Sequence, residues 1–260
     1  MRKFPLNIAH RGASSLAPEN TIPAFKKAIE LKCNGIELDV HLTKDEKVVV
    51  IHDDSLNRTT NGSGLVKNFT LKELKKLDAG SYFSEKFKNT TIPTLEEVMD
   101  LVIKHNILLD IEIKQSHPNI EKKVLDIIAN YNYENHSLIT SFNPKSILKV
   151  KNLNSNIKTG LLFFFLQDEP IKLLKNLNGN VLCADLNYVK LLSKKYIEDI
   201  HKNDMQIFAF TIDNPSEMWY LYKNNIDGII TNTPQYLNKL KRYPFNLIYK
   251  LIKPIKKEVP

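Results

Sequence analysis

The sequence is poor in cysteine and has no long apolar run, and both scarcities exclude classes of protein. Cys33 and Cys183 are its only cysteines, and two distant thiols in apolar surroundings fit buried side chains in a reducing compartment better than a disulfide or a metal motif. The longest apolar run, residues 161–166, is too short to span a bilayer. The first ten residues lead directly into an expected strand, which leaves no room for a signal peptide, so we expect a cytoplasmic protein.

Arginine is also scarce, and lysine supplies nearly all of the net charge of +8. A basic balance can indicate nucleic acid, a membrane surface or an anionic substrate as the partner. Nucleic-acid binding usually shows a basic stripe with aromatic or glycine-rich signatures, and the sequence has none outside its C-terminal tail. We therefore expect no nucleic-acid partner.

Gly/Ser linkers, low-complexity tracts and solenoid repeats are absent from the sequence as well. With 42% hydrophobic and 25% charged residues, the chain has the composition of a soluble globular protein. A chain of 260 residues is long enough for one large α/β domain or two small ones. Because nothing divides it, we expect a single domain over residues 1–241 and a tail over residues 242–260.

Short apolar runs alternate with amphipathic segments along the whole chain. The expected helices are at residues 21–31, 95–104, 120–130 and 188–202. The apolar runs are at residues 7–10, 35–40, 48–53, 107–113, 137–141, 159–164, 181–186, 206–211 and 228–231. This uniform alternation predicts parallel βαβ units, and it favours an α/β fold of the (β/α)8, or TIM, barrel type over a doubly wound sheet.

There is one strand candidate too many for an eight-stranded barrel, and a hairpin explains the excess. The polar residues 44–47 form a turn that is too short for the crossover of a parallel pair, so the run after them is expected to return as a hairpin arm. With the turn centred between Asp45 and Glu46, Asp39 is predicted to lie opposite His52.

Histidines stand at the ends of two predicted strands, where the active sites of such barrels form. His10 and Arg11 follow the first apolar run, and His52 lies near the end of the hairpin arm. Each histidine alone also fits a purely structural role. Because they lie on separate elements and imidazoles titrate near neutral pH, the two together could divide the roles of general base and general acid.

Carboxylates occur within two other strands. Glu37 and Asp39 are two residues apart and so share one strand face, as do Glu112 and Lys114. Buried carboxylates are costly unless a cation compensates them, and three carboxylates without a cysteine or histidine pair suit a hard ion, Mg²⁺ or Ca²⁺. With that ion in place, Arg11 and Lys114 leave a net attraction for a phosphate ester, whose oxygens they would hold.

Each of these patterns alone also fits an exposed strand end or a cross-strand ion pair. Their coincidence at several strand ends favours an active site over unrelated surface residues. A binding or scaffold protein on a degenerate barrel is a further alternative, and the complete set of two histidines and three carboxylates argues against it.

Longer motifs resemble the glycerophosphodiester phosphodiesterase family. They are HRGASSLAPENTIPAF, GIELDVHLTKDEKVVVIHDDSLNRTTNGSG, IPTLEEV, IEIK, TSFNP and FAFTIDNPSEMWYLYKNNIDGIITNTP. The resemblance covers about residues 6–236 in the family's order and spacing, and it implies a TIM-type barrel. It also implies metal-dependent hydrolysis of glycerophosphodiesters, such as glycerophosphocholine or glycerophosphoethanolamine, to sn-glycerol 3-phosphate and an alcohol.

The same resemblance implies the roles of the site residues and the order of the reaction. The glycerol hydroxyl next to the phosphate would attack phosphorus, the head-group alcohol would leave, and water would open the cyclic phosphate. The family's acid/base pair, its ligands of one divalent cation, its phosphate-contacting residues and its two supporting residues all have counterparts here. His10 and His52 correspond to the acid/base pair, and Glu37, Asp39 and Glu112 correspond to the ligands of the cation. Arg11 and Lys114 correspond to the phosphate-contacting residues, and Glu19 and Asn20 to the two supporting residues.

A few positions depart from the family pattern without affecting these residues. The last predicted strand is followed by TNTP, where many relatives carry another polar residue before the proline. Phe208 and Phe210 stand where other large residues, including tryptophan, are common. Trp219 is predicted on the following helix, so it does not take the family's substrate-side aromatic role.

Residues 54–91 lack a long apolar period and are predicted to form a small insert, or lid, at one end of the barrel. Its aromatic residues are expected to pack as its own small core, although its rim could also select the head-group alcohol. The insert carries Arg58, Thr59 and Thr60, and its aromatic residues are Phe69, Tyr82, Phe83 and Phe87.

The C-terminal tail, residues 242–260, is basic and amphipathic. It is predicted either to pack as a final helix on the barrel, which we prefer, or to make peripheral contact with an anionic membrane. A close alternative to the family's usual reaction, phospholipase-D-like hydrolysis of lysophospholipids at the same site, would need an apolar channel that only this tail or the insert could supply. The apolar residues at helical spacing are Leu247, Ile248, Leu251, Ile252 and Ile255, and the lysines are Lys250, Lys253, Lys256 and Lys257.

Overall fold

The computed structural model describes residues 3–114, 117–165 and 169–242. Its strands are β1 (Leu6–Ala9), β2 (Gly35–Leu42), β3 (Val48–Val50), β4 (Leu108–Ile113), β5 (Ser137–Ser141), β6 (Lys158–Phe163), β7 (Val181–Asp185), β8 (Gln206–Phe210) and β9 (Gly228–Thr231). Eight of them are parallel and run in the order β1-β9-β8-β7-β6-β5-β4-β2, and pairing of β1 with β2 closes the barrel. The remaining strand, β3, is antiparallel to β2. The predicted barrel and its extra hairpin strand are confirmed.

Helices alternate with the barrel strands and cover their outer faces. Within the described residues, no helix has the length and apolar character that a bilayer-spanning segment needs. Short 3-10 helices lie at Val66–Asn68, Glu85–Phe87 and Glu134–His136. The α-helices are α1 (Ile22–Glu30), α2 (Leu71–Leu74), α3 (Leu95–Val102), α4 (Ile120–Asn130), α5 (Pro144–Leu153), α6 (Pro170–Asn176), α7 (Leu186–Leu191), α8 (Lys194–Lys202), α9 (Pro215–Lys223) and α10 (Pro234–Arg242).

The helix expected at residues 188–202 is two helices, α7 and α8. The side chain of Asp185 accepts a hydrogen bond from the backbone N of Asn187 at 2.8 Å and caps α7. The side chain of Ser193 accepts one from the backbone N of Tyr196 at 3.1 Å and caps α8. Because a capping residue needs extended backbone angles, the second cap ends the first helix, and the prediction of one helix is wrong.

Alternation along β2 explains how the barrel positions its polar residues. Ile36, Leu38 and Val40 are buried between the strands and the surrounding helices. Glu37 and Asp39 therefore point into the barrel. An apolar cluster fills the rest of the interior, so the barrel is a packed core and not a channel. Its members are Ile8, Leu138, Leu162, Val181, Cys183, Phe208, Phe210 and Ile230.

The hairpin of β2 and β3 has a register that differs from the prediction by one residue. The backbone N of Ile51 donates to the carbonyl of Asp39 at 3.0 Å, so His52 does not lie opposite Asp39. The turn has three residues, 44–46, and Glu46 adopts a left-handed φ of 56°. A loop with an odd number of residues moves every pair by one position relative to a loop centred between two residues.

Residues 54–91, between β3 and α3, contain only short helical segments and have an aliphatic core. Tyr82 and Phe83 are 43% and 37% exposed, so the prediction of an aromatic core is wrong for them. Phe69 is half-buried at the edge of the core. Phe87 is half-buried and packs edge to face against Phe83, with ring centroids 5.7 Å apart, while aliphatic side chains of this segment pack against β3. The core consists of Val49, Ile51, Leu56, Val66, Leu74, Ala79 and Ile92.

Two predictions concern the cysteines and the tail. Cys33 and Cys183 are both buried and free, as expected. Residues 243–260, which carry the predicted basic amphipathic segment, lie outside the described residues.

Candidate active site

The turn after β1 places His10 and Arg11 at the mouth of the barrel. Arg11 has a φ of 54° and Gly12 a φ of 81°, so both lie in the left-handed region. A Cβ atom at position 12 would lie 2.7 Å from the Cβ of Ala24, so only glycine fits this turn. The backbone N of Arg11 then donates to Oε2 of Glu37 at 2.8 Å, which ties the end of β1 to the acidic face of β2.

The hydrogen bonds of His10 determine which ring nitrogen carries the proton. Its Nδ1 lies 2.7 Å from Oδ1 of Asn232, and the hydroxyl of Ser14 donates to the same oxygen at 2.8 Å. An amide oxygen only accepts, so Nδ1 donates and Nε2 keeps its lone pair. Burial, and then the charge of Arg11, lowers the pKa of His10 to about 4. The ring is therefore neutral at pH 7, with Nε2 3.9 Å from Oε2 of Glu37.

His52 follows β3 and has a charged partner instead. Its Nδ1 donates to Oδ1 of Asp53 at 2.6 Å, and its Nε2 lies 3.2 Å from Nζ of Lys114. Hydrogen bonds from Arg58 lower the pKa of Asp53, so this carboxylate is ionised at neutral pH. Nδ1 of His52 therefore donates to an ionised carboxylate, whereas Nδ1 of His10 donates to a neutral amide, so the two histidines have different environments.

Three buried carboxylates lie together beside the histidines. Register places Glu112 of β4 next to Asp39 of β2, and Glu37, Asp39 and Glu112 each offer an oxygen within 4.8 Å of the others. Burial, and then the charge of Asp39, raises the pKa of Glu112 to about 7. The same two causes raise the pKa of Glu37. Mutual repulsion in a buried position therefore makes this group unfavourable unless a cation compensates it.

The cations of the chain compensate the cluster only in part. Nζ of Lys114 lies 2.9 Å from Glu112 and 3.9 Å from Asp39, and Nε of Arg11 lies 3.4 Å from Asp39. Oε1 of Glu37 and Oδ1 of Asp39 are buried without a hydrogen-bond partner. Among the residues that the structure describes, the group consists of three carboxylates without a sulfur ligand, and together with the unpaired buried oxygens this fits a hard divalent cation.

Glu19 and Asn20 orient the groups that surround the cluster. Asn20 donates from Nδ2 to Oδ2 of Asp39 at 2.8 Å. Glu19 accepts from Arg11 at 2.7 Å and from Arg58 at 2.7 and 2.9 Å. Burial opposes ionisation of Glu19, but the bonds from Arg58 and Arg11 hold its pKa at about 2. Arg58 also binds Asp53, so one chain of contacts joins the end of β1 to the segment after β3.

All of the predicted site residues thus surround one cavity of about 430 Å³. Asp39, Glu19 and Asn20 do not line it, but each contacts Arg11, which does: Asp39 and Glu19 pair with its guanidinium, and the backbone N of Asn20 donates to its carbonyl. The predicted residues in the wall itself are His10, Arg11, Glu37, His52, Glu112 and Lys114.

The cavity also contains residues that the sequence analysis did not select. Asp110 lies two residues before Glu112 on the same strand face, so the spacing in LDIEIK could have identified it. It is fully buried and accepts from Oγ1 of Thr140 at 2.8 Å, and burial raises its pKa to about 7. The cavity is also lined by Phe142, Phe164, Asp185 and Phe210, and Nζ of Lys114 lies 5.7 Å from the centroid of the Phe142 ring.

The side chains at the mouth of the barrel are typical of one class of enzyme. With a divalent cation to compensate the carboxylate cluster, Arg11 and Lys114 would attract a phosphate ester, and two imidazoles at the same cavity can exchange protons with its oxygens. The closed parallel barrel places these groups where its strands end, as barrel enzymes do. Fold and site together define a barrel phosphodiesterase.

Comparison with known proteins narrows that class to one family. Residues 10–236 match the glycerophosphoryl diester phosphodiesterase family model. A glycerophosphodiester phosphodiesterase of Caldanaerobacter subterraneus subsp. tengcongensis is 45% identical over 91% of this chain and 98% of its own length, and one of Bacillus subtilis is 33% identical over 91% and 86%. An Oleispira antarctica phosphodiesterase, solved with the product sn-glycerol-3-phosphate, has a TM-score of 0.84 and 29% identity, over 92% of this chain and 98% of that one. The chain belongs to the glycerophosphoryl diester phosphodiesterase family, which confirms the family, fold and enzyme class that its motifs implied.

Proposed function

We propose that this enzyme hydrolyses glycerophosphodiesters such as glycerophosphocholine and glycerophosphoethanolamine to sn-glycerol 3-phosphate and an alcohol, with one Mg²⁺ or Ca²⁺ ion and two catalytic histidines. The observation that carries the proposal is that His10 and His52 line one cavity beside three buried carboxylates. The product bound to the Oleispira antarctica relative supports the same reaction.

The acidic cluster and the two cations would bind the phosphodiester between them. Glu37, Asp39 and Glu112 would hold the divalent ion, which when bound would polarise a phosphoryl oxygen. Arg11 and Lys114 would hold other phosphate oxygens and stabilise the charge that grows on them in the transition state.

The partners of the two histidines suggest how they divide the proton transfers. His10, whose partner is the neutral amide of Asn232, would take the proton from the glycerol hydroxyl at Nε2 while that oxygen bonds to phosphorus. His52, whose Nδ1 donates to Asp53, would give a proton to the alcohol oxygen as its bond to phosphorus breaks. Water would then open the cyclic phosphate with the proton transfers reversed.

The test is to treat the purified protein with EDTA and to measure sn-glycerol 3-phosphate released from glycerophosphocholine and glycerophosphoethanolamine, before and after Mg²⁺ or Ca²⁺ is restored. We expect activity to return with the ion and to fall about a hundredfold or more in His10→Ala and His52→Ala. His201→Ala is the matched control, because His201 pairs with Asp227 away from the cavity. Full activity in excess EDTA would contradict the dependence on a metal ion. Near-wild-type activity of His52→Ala would contradict the two-histidine scheme.

The proposal treats residues 1–241 as one domain with residues 54–91 as its lid, which the contacts of Arg58 with Glu19 and Asp53 support. A cytoplasmic location and peripheral membrane contact of the tail stay predictions. Salt-dependent binding to anionic vesicles that is lost on removal of residues 243–260 would support the contact, and no binding at low salt would contradict it.

A further inference from the structure

Three neighbouring barrel strands bring an acid between two aromatic rings: Phe164 directly follows β6, Asp185 ends β7 and Phe210 ends β8. Asp185 of β7 pairs with Phe210 of β8, and Ala184 pairs with Phe163 of β6, so Phe164 is level with Asp185 on its other side. Because neighbouring strands lie about 4.8 Å apart, this row spans roughly 10 Å. All three side chains line the active-site cavity. We call Phe164, Asp185 and Phe210 the aromatic–acid row.

The rings of the row belong to one apolar wall. Phe164 stacks on Phe142 with ring centroids 5.1 Å apart, and Phe210 meets these two rings edge to face at 5.7 and 5.9 Å. Leu162 and Ile230 extend the wall within the cavity. Phe164 is nevertheless 53% exposed. An exposed aromatic ring at an active-site cavity offers apolar surface that a bound ligand would cover.

Asp185 gives this apolar wall a negative charge. In the order of the barrel, β7 lies four strands from β2 in either direction, so Asp185 stands on the wall opposite Glu37 and Asp39. Its Oδ1 accepts the capping bond from the backbone N of Asn187 at 2.8 Å, and this contact does not use Oδ2. The row therefore combines a carboxylate oxygen with flanking aromatic rings, at a distance from the acidic cluster.

We propose that the aromatic–acid row is the subsite for a positively charged amino-alcohol head group, an inference that rests on the proposed function. With the phosphate held by Arg11 and Lys114 on one side of the cavity, the alcohol would extend across it to the row. An ammonium or trimethylammonium group there would be attracted by the negative charge of Asp185 and would contact the faces of the aromatic rings. A neutral polyol would place hydroxyl groups against an apolar wall, which is less favourable.

The test compares kcat/KM of the metal-loaded enzyme for glycerophosphocholine, glycerophosphoethanolamine and glycerophosphoglycerol, whose head group is neutral. Asp185→Asn removes the charge and keeps a good helix-capping residue. We expect kcat/KM to fall about tenfold for the two cationic head groups and to change less than about twofold for the neutral one. Phe164→Leu keeps an apolar side chain without a ring, and we expect about a fivefold loss for glycerophosphocholine with little change for glycerophosphoglycerol.

The control and the possible outcomes separate this inference from the proposed function. Glu169→Gln removes a carboxylate from the loop before α6 at the same end of the barrel. It should leave kcat/KM unchanged for all three substrates. An effect of Asp185→Asn that is equal on all three substrates, or absent from all, overturns the subsite and leaves the proposed function in place. Wild-type enzyme that hydrolyses none of the three overturns the proposed function.

Discussion

The carboxylate of Asp213 accepts two hydrogen bonds from Asn232, one from its backbone N at 2.8 Å and one from Nδ2 at 2.7 Å. These contacts fix the amide so that Oδ1 faces the ring of His10. Because Oδ1 can only accept, Nδ1 of His10 must donate, and Nε2 is left to act as a base. Asp213 and Asn232 are thus placed as positioning residues for His10.

We expect Asn232→Ala to lower kcat about tenfold with a much smaller change in KM, because the ring loses its orientation and its preferred tautomer while phosphate binding is kept. Steady-state kinetics measure the first effect. Long-range ¹H–¹⁵N NMR of His10 measures the second, as a shift from Nδ1–H toward a mixture of tautomers.

Asn214→Ala is the matched control for this variant. Asn214 caps α9 next to Asp213, and its side chain bonds to the backbone N of Ser216, so the substitution weakens a helix without touching His10. If kcat falls to the same extent in both variants, or if the tautomer of His10 is unchanged in Asn232→Ala, Asn232 does not position His10.

Arg58 joins two carboxylates on different segments, and Arg58→Lys should break that link. A lysine ammonium cannot reproduce the planar fork that binds Glu19 and Asp53 at once. We expect kcat to fall about tenfold because Asp53 no longer holds His52 in place. Lys88→Ala, which removes an exposed pair with Glu85 in the same segment, should leave kcat unchanged. Wild-type kcat in Arg58→Lys would show that His52 does not depend on this link.

Thermal unfolding can test the acidic cluster without an activity assay. Saturation with Mg²⁺ or Ca²⁺ should raise the Tm of the EDTA-treated protein by roughly 5 °C, because an ion at a hundred times its Kd adds about 2.7 kcal/mol of stability. In Glu37→Gln we expect the metal-free Tm to rise, since one buried charge is removed, and the shift with the ion to shrink.

The control for this experiment is Glu121→Gln, which changes another buried glutamate. Glu121 accepts from Ser146 at 2.8 Å and pairs with Lys149 at 2.9 Å, so the variant should lose stability but keep the full shift with the ion. An undiminished shift in Glu37→Gln would remove that residue from the ion site.

Asp78 should make the stability of the segment after β3 depend on pH. Its carboxylate accepts from the backbone N atoms of Asn89, Ser81 and Gly80, and these bonds lower its pKa. A lowered pKa means that the folded state holds the ionised form, so the stabilisation is present above the ordinary value of 3.8 and is lost as the pH falls below it. We expect Asp78→Asn to cost about 1 kcal/mol at pH 7, because the carboxylate is partly exposed, and less at pH 3.

Urea unfolding of the wild type and Asp78→Asn at both pH values measures this difference. Asp126→Asn, which removes a carboxylate from an exposed pair with Lys122, should cost little at either pH. A cost for Asp78→Asn that is the same at pH 7 and pH 3 would contradict the role of its charge.

The sequence predicted the barrel because strand and helix periods are local properties. Apolar runs and amphipathic segments located the strands β1–β9, and residues two apart, such as Glu37 and Asp39, could be assigned to one strand face. The register of the hairpin was missed because it depends on the conformation of Glu46, which composition does not reveal. The break between α7 and α8 was missed because Ser193 acts as a cap only once its backbone is extended.

Contacts between distant loops were not predictable in the same way. The pairing of Asn232 with Asp213 depends on how β8 and β9 are aligned, and the pairing of Arg58 with Glu19 depends on the path of a segment without regular period. The row of Phe164, Asp185 and Phe210 likewise becomes visible only when the strand register is known. The predicted site residues could be recognised one strand end at a time. These other features depend on which residues of different strands and loops are neighbours in the folded protein.

The contact between His10 and Asn232 has a consequence for protein synthesis, because these residues are 222 positions apart in the chain. Among the barrel strands, β1 is synthesised first and its partner β9 is synthesised last. At about 5–20 residues per second, the first strand waits on the order of 10 to 45 s before the barrel can close. The nascent chain therefore has no oriented base until β9 has been made, and a chain that ends before β9 would expose both edges of an open sheet to aggregation.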